Sequence, residues 1–348
     1  METFALEQLD FSEIQEAVDE VLRQGFSFQD TVLALLSGEQ PFTLEGFLQS
    51  VWLEAGQNLA QEKQLFLSIL VLGIAAALLT NVTGVFQSDQ IGEISFEMTY
   101  LLLFLLLLRV FEGASELAGQ VLAGVLQFMQ ALLPAWCLSV TLAAGGTTAL
   151  VFYQFLLGLI YLLDWLMGEA MLPVLKWYMV LVFVNHLTKE EYLSQLTELT
   201  GKAAGWIMKS LLGLVVGFHA VQGMVTPAVD ALKGTAFTRA ARLLPGIGNA
   251  AGGVAELLLG SAVLLKNGIG AAAVLVLGLL CLGPLVKLGM LTLLLKGTAA
   301  LLQPVCDKRF VGCVSGAGEG VRLLLQAVFT VTVLFVITIV AVTLSVRL

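Results

Sequence analysis

The chain reads as an all-α, polytopic helical membrane protein with about eight transmembrane helices and an acidic amphipathic helical region at its N-terminus. Three observations predict this. Of 348 residues, 58% are hydrophobic and 12% are charged, and mean hydropathy is +0.92, whereas a soluble domain carries about a quarter charged residues. Uncharged runs recur at the length that a hydrocarbon layer of ~30 Å requires of a helix. Those runs are continuously apolar instead of alternating, which excludes a β-barrel. The formal charge of −9 is confined to one end: residues 1–63 hold twelve carboxylates against Arg23 and Lys63, and residues 64–348 are close to neutral. The boundary between the two regions falls there. A basic face for nucleic acid is absent.

Within 1–63, Leu6, Leu9, Ile14, Val18 and Leu22 recur at helical spacing with acidic residues between them, which predicts an amphipathic helix ending near Gly25. Phe28 to Leu36 gives a second short helix closed by Gly38 and Pro41, and Thr43 caps a third. The opening METFALEQLDFSE has neither a basic segment nor an apolar core, so it does not read as a signal peptide. An acidic subdomain packed on itself, a layer on the membrane surface and a docking surface all fit this region.

The first two spans are Leu65–Phe86 and Ile94–Val110, joined by a polar turn. Between Glu116 and Asp164 lie 47 uncharged residues, enough for two crossings, with the turn at Gly145 to Thr148 and a kink at Pro134. Asp164 and Glu169 precede a fifth span, Ala170–Leu187. Residues 188–204 are polar, with Tyr192, Leu196 and Leu199 at helical spacing, and read as an interfacial helix. The sixth span lies between Lys209 and Asp230, a basic loop with Lys233, Arg239 and Arg242 follows, and the seventh and eighth spans are Gly268–Val286 and Leu323–Val346. Basic residues divide evenly between alternate loops, so the positive-inside rule gives no orientation.

No catalytic, cofactor or metal constellation emerges. Gly246-Ile-Gly248-Asn-Ala-Ala251 has the spacing of a dinucleotide loop, but its apolar membrane flanks lack the strand that such a loop needs. Gly316, Gly318 and Gly320 are not followed by the Lys-Ser/Thr of a phosphate loop. His186 and His219 are separated by a whole span, and the metalloprotease and hydrolase motifs are missing. Cys137 and Cys281 lie in apolar spans and act as small hydrophobes, and Cys306 and Cys313 flank a short polar loop as two neighbouring thiols or as a pair.

What remains is a set of ionisable residues in apolar surroundings, which are costly in lipid and so face a bundle interior or water. Lys209, Lys287 and Arg322 stand near helix ends, where long side chains reach the interface, and Asp164 and Lys176 flank one turn and could pair. Glu256 and Lys266 stand ten residues apart in an otherwise apolar stretch. With Pro245, Gly246, Gly248 and Asn267 they are the candidate bundle-interior or helix-break residues, and the stretch 243–267 is expected to be a broken or re-entrant helix. Gly213, Gly217, Gly248, Gly252 and Gly260 are the small residues expected to let helices approach, which also suits a homo-oligomer. A stand-alone secondary transporter for a small solute fits intramembrane charge and discontinuous helices, although no inverted repeat is visible in the hydropathy.

Four segments carry a family resemblance: FMQALLP (Phe128–Pro134), GFHAVQG (Gly217–Gly223), LLPGIGNAAGGVAELLLGSAVLLKNGIG (Leu243–Gly270) and LLQPVCDKRFVGCV (Leu301–Val314). In order and spacing, over residues 65–347, the chain resembles the stage III sporulation protein AE family of endospore-forming Firmicutes. The resemblance implies a non-enzymatic, multi-pass subunit of a channel or secretion-like complex joining mother cell and forespore, needed for late forespore development. It implies the mother-cell membrane surrounding the forespore as its location. The implied partners are other stage III sporulation membrane proteins of the same operon and a forespore-side channel component. No catalytic residue and no cofactor comes with it.

Overall fold

The computed structural model describes residues 11–21, 26–37, 63–78, 89–144, 146–187, 190, 192–241 and 248–345, and every regular element among them is helical. In chain order these are α1 (Ser12–Val21), α2 (Phe28–Leu36), α3 (Lys63–Leu78), α4 (Asp89–Ala144), α5 (Gly146–Asp164), a π-helical turn (Trp165–Met171), α6 (Leu172–Leu187), α7 (Ser194–Ala241), α8 (Gly248–Leu302) and α9 (Lys308–Ser345). The all-α polytopic architecture is as expected. Five stretches among the described residues are long and apolar enough to cross a membrane, with α3 as a shorter apolar helix.

The apolar segments are packaged into fewer and longer helices than the charge pattern suggests. Arg109, Glu112 and Glu116 do not end a helix: α4 runs through them for 56 residues, all three on its exposed side, and Pro134 sits inside it without ending it. Asp164 and Glu169 likewise separate nothing, because α5 and α6 join through the π turn. Pro173 explains the turn. It has no N–H to give the carbonyl one helical turn back, and the Leu172 N–H instead reaches the Met167 carbonyl five residues earlier. Asp164 and Lys176 lie exposed on either side of it and form no ion pair with each other. The expected interfacial helix is, from Ser194 on, the first part of α7, and α7 continues to Ala241 through what the sequence suggests is a basic loop.

α9 is the central pillar. Val321, Leu324, Val331, Leu334, Phe335 and Val342 are fully enclosed and form the buried face of this helix, while Arg322 and Phe329 stand exposed on another side. α8 runs antiparallel to it in a constant register, from Lys296 with Glu319, through Cys281 with Thr332, to Lys266 with Thr343. α6 is also antiparallel, with His186 at Gly312 and Val182 at Gly316. α4 is parallel, with Phe96 beneath the Arg309 guanidinium at 3.7 Å and Phe111 against Gly320. α7 is parallel too, with Gly205 beside Gln326 and His219 3.1 Å from the Thr338 hydroxyl.

The N-terminal hairpin is packed against this bundle. Ser27 caps α2 by accepting the Asp30 N–H at 3.1 Å. Gln15 ties the two helices together, donating to the Phe26 carbonyl at 2.7 Å and accepting from the Phe28 N–H at 2.9 Å. Phe28 is fully buried between Phe11 and Phe128 of α4, and Leu36 and Val32 lie on α8 at Gly268. Burying Phe28 and Val32 contributes roughly 1.5–3 kcal/mol each. The buried Ile14 and Val18 of α1 carry the expected amphipathic pattern, whereas Leu6, Leu9, Leu22 and the helix expected after Thr43 lie outside the described residues.

Candidate functional site

The LLKNGIG segment of α8 is a junction of three elements. Lys266 is 0% exposed, and its Nζ donates to the Thr343 carbonyl at 2.7 Å. Thr343 belongs to the last turn of α9, whose carbonyls have no partner within their own helix and carry the negative end of its dipole. The ammonium therefore caps another helix. Two residues on, Gly268 accepts the hairpin: a Cβ there would stand 3.1 Å from Leu36. Gly270 meets α9 so closely that a Cβ would stand 2.6 Å from the Thr343 hydroxyl. Alternate positions of one short segment thus contact the N-terminal hairpin and the last helix.

Of the six candidate residues, Lys266 is placed in the bundle interior, while its neighbour Asn267 is exposed. Gly248 opens α8 and Glu256 lies on its backbone path. Pro245 and Gly246 lie outside the described residues. Where a break was expected within 243–267, the chain is helical without interruption from Gly248 onward.

The second arrangement was not expected from the sequence. Gly312, Gly316 and Gly320 are spaced every four residues along α9, the first two admitting α6 and the third α4: a Cβ on Gly312 or Gly316 would overlap His186 or Val182, and one on Gly320 would stand 3.0 Å from Phe111. The glycine run that superficially suggests a phosphate loop is a helix-packing seam. By contrast Gly213, Gly217 and Gly260 have open space where a Cβ would go, so these three of the glycines expected to draw helices together meet no close neighbour among the described residues. The i, i+4 spacing of Gly312, Gly316 and Gly320 was the signal available in the sequence.

Beside this seam, Glu319 accepts Lys296 Nζ at 2.7 Å on one oxygen and Arg322 Nε at 2.7 Å on the other, with Arg322 Nη2 donating to that same second oxygen. The three charges are a third to nearly a half exposed, so the network is worth ~1 kcal/mol or less. Glu319 and Arg322 border a cleft of about 920 Å³ between α6, α7 and α9, whose lining includes Asn185, Ser194, Lys202, Trp206 and Lys209.

At the other end of the seam, the Cys306 thiol donates to the Gly73 carbonyl at 3.2 Å. Cys313 is buried one turn inside α9, and both are free thiols. Burial, and then the neighbouring Asp307 carboxylate, push the Cys306 thiol above the usual range. Gly73 is forced by contact, since a Cβ would stand 2.8 Å from Leu302.

Five long apolar stretches among the described residues, packed with α9 at their centre, define a polytopic helical membrane protein. The stage III sporulation protein AE family model matches residues 26–345, and the chain belongs to that family. It is 21% identical over 310 residues to the stage III sporulation protein AE of Bacillus subtilis (strain 168), covering 89% of this chain and 78% of that protein. No solved structure matches.

Proposed function

We propose that this chain is a non-enzymatic membrane subunit of a channel or secretion-like complex linking mother cell and forespore, set in the mother-cell membrane around the forespore. Family membership supplies the sporulation setting. The observation that carries the subunit reading is a mismatch of length. Met98 and Leu142 lie on one helix, α4, and each is 62% exposed. At ~1.5 Å per residue they stand ~66 Å apart along the helix path, while hydrocarbon is ~30 Å thick and membrane helices tilt by at most about 40°. One bilayer does not cover both ends, and uncovered apolar surface of this kind marks contact with protein. The proposed neighbours are the other stage III sporulation membrane proteins of the same operon, a forespore-side component and a further copy of this chain. In this reading the candidate bundle-interior and helix-break residues, Pro245, Gly246, Gly248, Glu256, Lys266 and Asn267, serve helix packing in the assembly and no catalytic step.

The test is affinity capture of the full-length chain from sporulating cells, together with deletion of its gene. Recovery of the operon's other membrane products and arrest of late forespore development are expected. Purified protein that moves a small solute alone in liposomes, with no partner captured, would instead identify a secondary transporter.

A further inference from the structure

We propose that the cleft between α6, α7 and α9 binds a phosphate-ester anion. The argument starts from which charges there are already engaged. Its two carboxylates are Glu198, held by Lys202 at 2.5 Å, and Glu319, held by Lys296 and Arg322 from both sides. Lys209 lines the same cleft and forms no ion pair among the described residues, so the lining carries cationic charge beyond what its own carboxylates neutralise. Neutral donors converge on the same space. Asn185 is almost fully buried, and its carbonyl oxygen is occupied by the Leu193 N–H at 2.9 Å, which leaves its amide N–H groups to the cleft it lines. Ser194 adds a hydroxyl. Lysine, guanidinium, amide and hydroxyl donors around a cavity of this size suit an oxyanion with several acceptor oxygens better than a carboxylate-poor apolar ligand.

Two sources carry that chemistry, a phospholipid headgroup and free phosphate. The surroundings suit the first. Trp206 at the cleft is 72% exposed, and farther along the same two helices, between the Gly205–Gln326 and His219–Thr338 contacts, Leu214 and Phe329 are 62% and 55% exposed. Acyl chains would lie along that apolar continuation, with the aromatic ring at headgroup level. This site does not depend on the subunit reading, and its test uses the purified full-length chain without partners.

The experiment titrates phosphatidylglycerol in phosphatidylcholine nanodiscs and, separately, inorganic phosphate in nanodiscs of phosphatidylcholine alone. The unfolding midpoint is read for the wild type, Lys202→Gln/Lys209→Gln, and Lys176→Gln as a control on an exposed cation outside the cleft. Wild type and control are expected to respond alike, and the double variant to need about tenfold more anion, the equivalent of one lost charge-assisted contact. A response to phosphatidylglycerol alone identifies the headgroup, and an equal response to inorganic phosphate identifies a soluble ligand. Should the double variant fail to fold, Lys209→Gln alone with Lys209→Arg as its rescue carries the test. Absence of any response, or a response unchanged by loss of the cleft lysines, overturns the proposal.

Discussion

Lys266 and Thr343 join the two longest-range partners of the central hairpin: a buried ammonium on α8 supplies the hydrogen bond that the last turn of α9 cannot make for itself, at 2.7 Å. An intramembrane lysine that would otherwise read as part of a substrate path has a structural partner, and the cost of burying it is offset by a carbonyl at the negative end of a helix.

Lys266→Met keeps the length of the side chain and removes the donor. Loss of a charge-assisted hydrogen bond to the Thr343 carbonyl is expected to cost about 1.5–3 kcal/mol, read as a lower unfolding midpoint in detergent. Hydrogen exchange is expected to rise first over the last turn of α9. Unchanged protection at Thr343 and Leu344 would show that the cap contributes nothing.

The seam on α9 and the open glycines on α7 give opposite outcomes for the same type of substitution. Gly316→Val drives a side chain into Val182 and is expected to destabilise by roughly 1–3 kcal/mol or more. Gly213→Ala and Gly217→Ala meet no neighbour and are expected to stabilise α7 by roughly 0.5–1 kcal/mol through helix propensity. A cost at Gly213 or Gly217 that appears only in cells would locate a partner helix there.

For the hairpin, Phe28→Ala empties a fully buried site between Phe11 and Phe128 and is expected to cost about 3–5 kcal/mol. Because α1 and α2 contact the bundle through one flank of α4 and of α8, the loss is expected as release of residues 11–37 to limited proteolysis while the bundle stays folded. Gln15→Ala, which removes both hydrogen bonds joining the two helices, is expected to act in the same direction and less strongly.

Cys306 lies in the α8–α9 connection, and its thiol is raised by burial and by Asp307. A raised thiol holds its proton, so at neutral pH alkylation by a maleimide is expected to be slower than for an unhindered thiol and to climb as pH rises. Removing the carboxylate with Asp307→Asn favours the thiolate and is expected to speed the reaction at fixed pH. If the substitution slows it or leaves it unchanged, the electrostatic contribution is absent.

The helical class and the membrane setting are legible in composition and run length because they depend on sums over many residues. The number of separate helices is less legible. Arg109, Glu112 and Glu116 mark an end only if their side of the helix is buried, and in α4 all three face outward. The π turn hides for a related reason: Pro173 signals a lost hydrogen bond, but only the fold decides whether the chain breaks or widens there. Lys266 stands out in the sequence as a charge in an apolar run, while its partner is a backbone carbonyl 77 residues away, which no side-chain pattern encodes. The cleft is built from α6, α7 and α9, each contributing residues that are unremarkable alone.

The docking of α2 on Gly268 also sets an order of events during synthesis. Leu36 leaves the ribosome long before Gly268 exists, so Val32 and Leu36 have no α8 surface to close against until most of the membrane-spanning chain has been made, whereas Phe28 meets Phe128 of α4 sooner. Contacts of such long sequence separation form late, and an unburied apolar hairpin invites premature association in the meantime. Its acidic outer residues, Glu13, Glu16, Asp19 and Asp30, keep it soluble during that wait. The hairpin is thus made well before α8 and completes its contacts only once α8 is in place.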